Sequence, residues 1–159
     1  MKLKTTIAGS LPKPSWLAEP EKLWGEWKLK DSELFNGQCE AALSWIKFQE
    51  NSGVDIISDG EQFRKHFVHG FLELIHGIDW NKMTTMGIRN DRYDAEVPTV
   101  VSELKRLNSI HSKSTEYCLK KTSNDFKITL PGPMTICDTI ANGFYSSRKE
   151  MAYEFAKIL

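Results

Sequence analysis

Short apolar runs and longer amphipathic segments alternate along the N-terminal part of the chain. Residues 4–8 are mostly β-branched or apolar and are followed by a Gly-Ser pair and two prolines, which predicts a buried strand that ends in a loop. In residues 31–50 the apolar positions recur at helical spacing, after an Asp-Ser pair that can cap the first turn. Residues 54–58 are a second apolar run, ended by Asp-Gly, and predict a second strand.

The alternation continues to the end of the chain. Residues 15–30, with Trp16, Trp24, Trp27 and Pro20, predict an ordered excursion that contains a short helix. The later pattern predicts, in chain order, a helix at 62–75, a long polar insertion at 79–97, a third strand at 97–101, a helix at 112–122, a fourth strand at 126–130 and a last helix that begins with the capping box of Ser147 and Glu150.

Strands separated by helical crossovers are typical of a parallel sheet and of the α/β class. A complete (β/α)8 TIM barrel needs about 250 residues, so four βα units in one domain, residues 1–159, predict the N-terminal half of such a barrel. The last predicted helix reaches Leu159 without a capping Gly or Asn, and we expect the chain to be a fragment. A small open sheet of four strands, complete in itself, fits the same pattern.

The composition narrows the classes of function. Lys and Arg total 21, and Asp and Glu also total 21, so the chain lacks the basic excess that holds a nucleic-acid backbone. No apolar stretch approaches the length of a membrane span, and we expect no membrane partner. Three widely spaced cysteines are typical of free thiols in a reducing compartment, which predicts a cytoplasmic protein.

Three segments together resemble the catalytic barrel of the cobalamin-independent methionine synthases. Their order and spacing carry the resemblance, because each motif alone is common. The segments are Thr5-Thr6-Ile7-Ala8-Gly9-Ser10-Leu11-Pro12, then Gly53-Val54-Asp55-Ile56-Ile57-Ser58-Asp59-Gly60-Glu61 with Arg64 shortly after, and Leu130-Pro131-Gly132-Pro133-Met134-Thr135-Ile136. The resemblance covers the whole chain but about half of the family's catalytic barrel, and it indicates a short form of the enzyme.

The resemblance implies a methyltransferase that moves a methyl group onto the thiol of homocysteine and forms methionine. It implies that Gly9 and Ser10 hold the amino-acid end of homocysteine through backbone groups, that Glu61 binds its ammonium group, and that Arg64 supports Glu61. It further implies a zinc ion in the full-length enzyme, held by His, Cys, Glu and Cys in the other half of the barrel. The resemblance leaves the methyl donor open between methyltetrahydrofolate and a methylated corrinoid protein.

The residue types are compatible with these roles and also with simpler ones. Gly9 permits close approach of a ligand to the backbone, or simply forms a tight turn. Glu61 follows a strand at the end where barrels build active sites, or complements a helix N-terminus. Cys137 is predicted to be a small buried residue, with Thr135 and Asp138 as candidate pocket residues. His66 and His69 are predicted to be ordinary surface or packing residues, since two histidines alone do not make a zinc site.

Two further functions are compatible with the same sequence. Within the enzymes, the acceptor can be another thiol such as coenzyme M, although that molecule has no ammonium group for Glu61. Outside the enzymes, a half-barrel with open sheet edges can bind a ligand or assemble with another chain, including a second copy of itself. In either case we expect the 159 residues to be catalytically inactive alone, because they do not contain a complete zinc site.

Overall fold

The computed structural model describes residues 3–19, 26–88 and 91–159, and these residues form two compact units. The first unit comprises Met1–Phe67 and His111–Thr129, and the second comprises Val68–Ile110 and Leu130–Leu159. The short helix predicted within residues 15–30 falls partly on positions 20–25, which include Pro20 and Trp24 and lie outside the described residues.

The described elements confirm the α/β class. In chain order they are α1 (Asp31–Asn51), β1 (Ile56–Ser58), α2 (His69–Leu72), β2 (Ile75–Ile88), β3 (Tyr93–Arg106), α3 (Ser112–Leu119), β4 (Asp125–Lys127), α4 (Pro133–Cys137), β5 (Ala141–Asn142) and α5 (Arg148–Ile158). None of these helices combines the length and the apolar character that crossing a bilayer requires.

The sheet of the first unit is parallel, as predicted. β1 pairs with β4 in the register Ile57 to Phe126, and Thr6 forms a parallel bridge to Ile56 on the other side of β1. The strand predicted at residues 4–8 is reduced to this bridge. Since β1 lies directly beside β4, the strands predicted second and fourth along the chain are neighbours in the sheet.

The core of the first unit lies between the sheet and its helices. Ala42 and Ile46 on α1 pack with Ile57 and Cys118, and all four are fully buried. Burial of a side chain such as Ile46 stabilises the fold by roughly 1.5–3 kcal/mol. The predicted cap of α1 is absent, because the N-cap position is Lys30 and no side chain caps the helix.

The second unit contains a long antiparallel hairpin where the sequence predicts a polar insertion, and that prediction is wrong. β2 and β3 pair along 14 residues each, from Ile75 opposite Arg106 to Ile88 opposite Tyr93. The pattern misled because residues 81–85 in the middle of β2 are exposed and, apart from Met83, polar. Backbone pairing with β3 resumes at Met83 after a register shift, and no buried apolar face marks this part of the strand in the sequence. The helix predicted at 62–75 is correspondingly confined to α2.

The strand predicted at 97–101 lies within β3, but its neighbours differ from the prediction. It is antiparallel to β2 and parallel to β5, with Thr99 opposite Ala141. The described residues consequently do not show four consecutive parallel βα units. Pro98, predicted to mark an irregular strand, lies opposite Met83 where the register shifts, and such irregularities accommodate a residue without an N–H.

The predicted N-cap of α5, Ser147, is confirmed, and the return bond to Glu150 comes from the preceding residue, Ser146. The Ser147 hydroxyl accepts a hydrogen bond from the Glu150 amide at 3.1 Å, and the Glu150 carboxylate accepts one from the Ser146 amide at 2.9 Å. The buried face of α5 consists of Met151, Phe155 and Ile158. Local sequence thus specifies both the start and the packing face of this helix.

Candidate functional site

Parallel strands bring the predicted site residues to one place in the first unit. The segment that pairs with β1 through Thr6 continues into Gly9 and Ser10, and β1 itself continues into Glu61. The ends of neighbouring parallel strands lie at the same edge of a sheet. The Ser10 hydroxyl donates a hydrogen bond to Oε2 of Glu61, and a Cβ atom on Gly9 would lie 3.2 Å from Oε1 of Glu61.

The turn after β1 holds the Glu61 carboxylate in a buried position. Gly60 and Glu61 both adopt left-handed backbone conformations, with φ of 60° and 61°, and Glu61 is only 4% exposed. The amide of Glu61 donates to Oδ1 of Asp59 at 3.0 Å, and the amide of Leu11 donates to the carbonyl of Gly60 at 3.0 Å. Glu61 lies in a turn and does not begin a helix, which removes the helix-terminus interpretation of this carboxylate.

A positive φ in a residue other than glycine is energetically unfavourable. Such a conformation costs roughly 1–3 kcal/mol and is concentrated at functional sites. Glu61 has this conformation together with a buried ionisable side chain. Both features are unfavourable for folding alone, which makes Glu61 the strongest candidate for a ligand-binding residue in the first unit.

Two buried glutamines, which the sequence analysis did not identify, fix this turn. Gln49 on α1 donates to the carbonyl of Ser58 at 2.9 Å and accepts from the amide of Ser58 at 3.1 Å. Gln62 donates to the carbonyls of Leu11 and Gly60 at 2.9 and 3.0 Å. The sequence feature that could have identified Gln49 is a polar residue on the otherwise apolar face of the predicted helix.

Arg64 lies beside the two carboxylates of the turn. Its Nη2 atom is 3.8 Å from Oε1 of Glu61 and 3.9 Å from Oδ1 of Asp59, and the residue is 2% exposed. Its Nη1 atom donates to the carbonyl of Thr129 at 2.6 Å, whereas Nη2 has no hydrogen-bond partner in the part of the chain that the structure describes. Burial raises the pKa of Asp59, and the positive charge of Arg64 opposes that rise.

Lys13 is a second basic residue of this cluster. The sequence motif did not identify it, because the segment that resembles the family ends at Pro12. The side chain is half-buried, and Nζ lies 5.7 Å from the centroid of the Trp27 ring. Burial lowers the pKa of Lys13, while the negative charges of Glu61 and Asp59 raise it. The cluster therefore combines two carboxylates with two basic groups.

The other candidates do not assemble into a metal site. Among the described residues, no three His, Cys, Asp or Glu side chains are grouped so that they could hold a metal ion. Burial raises the pKa of Cys118 to about 12 and that of Cys137 to about 11, so both remain protonated thiols near neutral pH. Cys137 is 1% exposed, in agreement with the prediction of a small buried residue.

The histidines of the predicted pair make packing contacts. The ring of His66 lies 4.6 Å from the ring of Phe67, and the ring of His69 meets Trp80 edge-on at 5.5 Å. Nε2 of His69 is 3.1 Å from the carbonyl oxygen of Thr139. These contacts agree with the prediction that both are ordinary surface or packing residues.

Comparisons with known proteins place these motifs in a family. The family model described as "Cobalamin-independent synthase, Catalytic domain" matches residues 3–159. The methionine synthase of Sulfurisphaera tokodaii is 30% identical over 164 residues, and the match covers 99% of this chain and 46% of that protein. The methionine synthase of Saccharolobus islandicus is 31% identical over 161 residues, with 99% and 47% covered.

Solved structures agree with the sequence relatives. A B12-independent methionine synthase from Shewanella sp. W3-18-1, in complex with selenomethionine, has 49% sequence identity and a TM-score of 0.92, and the match covers 98% of this chain and 46% of that chain. A putative enzyme of the same kind from Listeria monocytogenes shares the fold, at 14% identity and a TM-score of 0.65, with 99% and 45% covered. The chain spans about half the length of these relatives, and it belongs to the cobalamin-independent methionine synthase family.

Proposed function

We propose that this chain forms the amino-acid-binding part of a methionine synthase, a methyltransferase that converts the thiol of homocysteine into the thioether of methionine. The observation that carries the proposal is the buried carboxylate of Glu61 held against Gly9 and Ser10. The proposal extends to the whole enzyme, of which this chain spans about half. The complex of the Shewanella relative with selenomethionine, a close analogue of methionine, supports this choice of ligand.

Glu61 would bind the α-ammonium group of homocysteine. A buried carboxylate gains most from a cationic partner that donates charge-assisted hydrogen bonds, since removing it from water is otherwise costly. In the described residues its contacts are the Ser10 hydroxyl and, at 3.8 Å, Nη2 of Arg64. Neither contact supplies the several donors of an ammonium group, so the carboxylate retains capacity for a ligand.

Gly9 and Ser10 would hold the amino-acid end of the substrate through their backbone. Because Gly9 has no Cβ, a ligand can approach Oε1 of Glu61. A methyl group at position 9 would lie 3.2 Å from that oxygen. The amide of Ser10 can then donate to a carboxylate. Arg64 would support Glu61 by keeping a positive charge beside it in a region that excludes water.

The reaction forms one C–S bond and breaks the bond between the methyl carbon and its donor, while the thiol loses its proton. The contribution of this chain is to bind the ammonium group and to orient the homocysteine side chain. Holding a reactant in a productive geometry accelerates a two-substrate reaction by removing much of the entropic barrier. Methyltetrahydrofolate and a methylated corrinoid protein both remain candidates for the donor.

Zinc enters the proposal only for the full-length enzyme. The residues of the described segments do not fit a zinc site, since no suitable group of three ligands is present and burial raises the pKa values of Cys39, Cys118 and Cys137. The family's zinc ligands would belong to the half of the relatives that this chain does not match. No step is assigned to the metal on the residues of this chain.

The proposal is tested by calorimetric binding of L-homocysteine, L-methionine and coenzyme M. We expect both amino acids to bind and coenzyme M, which lacks an ammonium group, not to bind. Glu61→Gln should weaken amino-acid binding roughly 10- to 100-fold, as expected for a lost charge-assisted contact. Glu40→Gln, an exposed position on α1, is the matched control. Tighter binding of coenzyme M than of homocysteine would reject the proposed acceptor.

A second experiment addresses turnover. The protein is purified from its host with whatever chain the gene encodes after Leu159, and methyl transfer to homocysteine is measured with and without a zinc chelator. Loss of activity with chelator is expected for the whole enzyme, and no activity is expected for residues 1–159 alone. Methyl transfer by the 159 residues alone would contradict the assignment of zinc chemistry to the other half.

A further inference from the structure

We propose that Lys13 is a further substrate-binding residue, whose ammonium group pairs with the α-carboxylate of the amino acid that Glu61 holds by its α-ammonium group. This inference rests on the proposed function and adds a charged partner for the carboxylate to the backbone of Gly9 and Ser10. It also assigns a determinant of specificity, because only a ligand with both charges satisfies both residues.

The backbone that carries Lys13 is fixed relative to Glu61. The Leu11 amide donates to the carbonyl of Gly60 at 3.0 Å, and Gln62 donates to the carbonyl of Leu11 at 2.9 Å. The indole N–H of Trp45 donates to the carbonyl of Pro12 at 2.9 Å. These three hydrogen bonds tie the loop between Ser10 and Lys13 to the turn of Glu61 and to α1.

The side chain of Lys13 is held over an aromatic ring. Nζ lies 5.7 Å from the centroid of Trp27, a distance at which the face of an indole attracts a cation. The aliphatic stem is half-buried, so the position of the ammonium group is restricted. A restricted cation loses less entropy on binding an anion than a lysine that moves freely in water.

The ammonium group is close enough to the site to interact with its charges. Burial lowers the pKa of Lys13, the negative charges of Glu61 and Asp59 oppose that shift, and the positive charge of Arg64 adds to it. Within the described residues, Lys13 Nζ nevertheless makes neither a hydrogen bond nor an ion pair. Lys13 therefore lies within electrostatic range of the carboxylates without contacting them directly, and it retains its donors for an anionic ligand group.

The charges of the cluster are complementary to a zwitterion. Arg64 is engaged by the Thr129 carbonyl and lies beside Asp59 and Glu61. An amino acid adds no net charge when its ammonium group meets Glu61 and its carboxylate meets Lys13. An amine alone would add a positive charge beside Lys13 and Arg64, and a carboxylic acid alone would leave Glu61 without a cation. Like charges in a partly buried site are unfavourable, which disfavours both.

The inference is tested with three ligands that share one thioether side chain: L-methionine, methylthiopropylamine, which lacks the carboxylate, and methylthiobutanoate, which lacks the ammonium group. Affinities are measured by calorimetry at constant ionic strength. Lys13→Met should weaken methionine binding roughly 10- to 100-fold, the effect of a lost charge-assisted hydrogen bond, and should not weaken methylthiopropylamine, whose ammonium group loses a like-charged neighbour. Lys13→Arg should retain most of the affinity for methionine. Lys47→Met, at an exposed position of α1, is the control.

The outcomes separate this inference from the proposed function. If the wild-type protein binds methionine and Lys13→Met binds it equally well, the role of Lys13 is overturned while the proposed function stands. If the wild-type protein binds neither methionine nor homocysteine, the proposed function fails and this inference fails with it. If Lys13→Met does not fold, Lys13→Gln, which removes the charge and keeps a polar side chain, takes its place: unchanged affinity for methionine overturns the inference, and a loss of roughly tenfold or more that Lys13→Arg does not show supports it.

Discussion

Oε1 of Glu61 lies 3.2 Å from the position that a Cβ atom would occupy on Gly9. That separation is shorter than an ordinary van der Waals contact. The carboxylate can keep its present position because residue 9 is a glycine, which has no Cβ. The two residues come from segments that neighbour each other in a parallel sheet. The requirement for glycine at position 9 is thus set by a side chain distant in sequence and not by the local turn.

Gly9→Ala should weaken amino-acid binding with little loss of fold stability. The added methyl group would displace the Glu61 carboxylate by a few tenths of an ångström, and we expect roughly a tenfold rise in the dissociation constant for homocysteine. Calorimetric titration measures this change. Gly132→Ala is the control, since a Cβ there meets nothing within 4 Å. Equal affinities for the two variants would show that the Glu61 carboxylate tolerates the displacement.

Gly60→Ala should destabilise the first unit more than Gly53→Ala. Both glycines have a positive φ, of 60° and 73°, so either alanine is strained by roughly 1 kcal/mol. Only the new Cβ at position 60 would also stand 3.0 Å from Cβ of Leu11, which adds roughly 1–3 kcal/mol of overpacking. Urea unfolding of the two variants gives the difference, and identical unfolding free energies would contradict the packing argument.

Gln49→Leu should lower the free energy of unfolding by roughly 2–5 kcal/mol, because it leaves two buried backbone groups of Ser58 without partners. Gln38→Leu is the matched control on the same helix, since Gln38 is also buried, at 8% exposure, but makes no such bonds to Ser58. The measurement is chemical unfolding followed by circular dichroism. A loss no larger at Gln49 than at Gln38 would mean that the turn after β1 is held by other contacts.

His111 should make the first unit sensitive to mild acid. Burial and, to a smaller extent, the positive charge of Arg64 lower the pKa of His111 to about 4. In the unfolded chain the group titrates at about 6.5, so the unfolded state binds the proton first. The stability associated with neutral His111 is complete above the unfolded pKa and is lost as the pH falls from about 6.5 towards about 4.

The test compares wild type with His111→Asn, since asparagine does not titrate and tolerates the left-handed backbone found here, with φ of 62°. Unfolding free energies are measured at about pH 7.5 and about pH 5, a range that spans the unfolded pKa of histidine. Wild type should lose more stability than the variant between these two values. A loss of equal size in both proteins would assign the acid sensitivity to other groups.

Much of the candidate site could be predicted from the sequence. The motif around Gly9 and Ser10 and the motif around Glu61 each follow a segment with the pattern of a strand, and parallel strands bring such ends together. Arg64 was placed beside Glu61 by its spacing and is found 3.8 Å from it. The roles of Gln49, which hydrogen-bonds the backbone of Ser58, and of Lys13, which lies over the Trp27 ring, depend on contacts between different elements of the first unit, which local patterns do not encode.

The sequence by itself determined the α/β class, the family, the N-cap of α5 and the buried face of α1, because each depends on local periodicity or on an ordered set of motifs. Only the tertiary structure decided that residues 75–106 form an antiparallel hairpin and that β1 lies directly beside β4. Strand pairing depends on backbone hydrogen bonds between segments distant in sequence. The middle of β2 is largely polar and exposed, so it has no hydrophobic pattern from which its partner strand could be predicted.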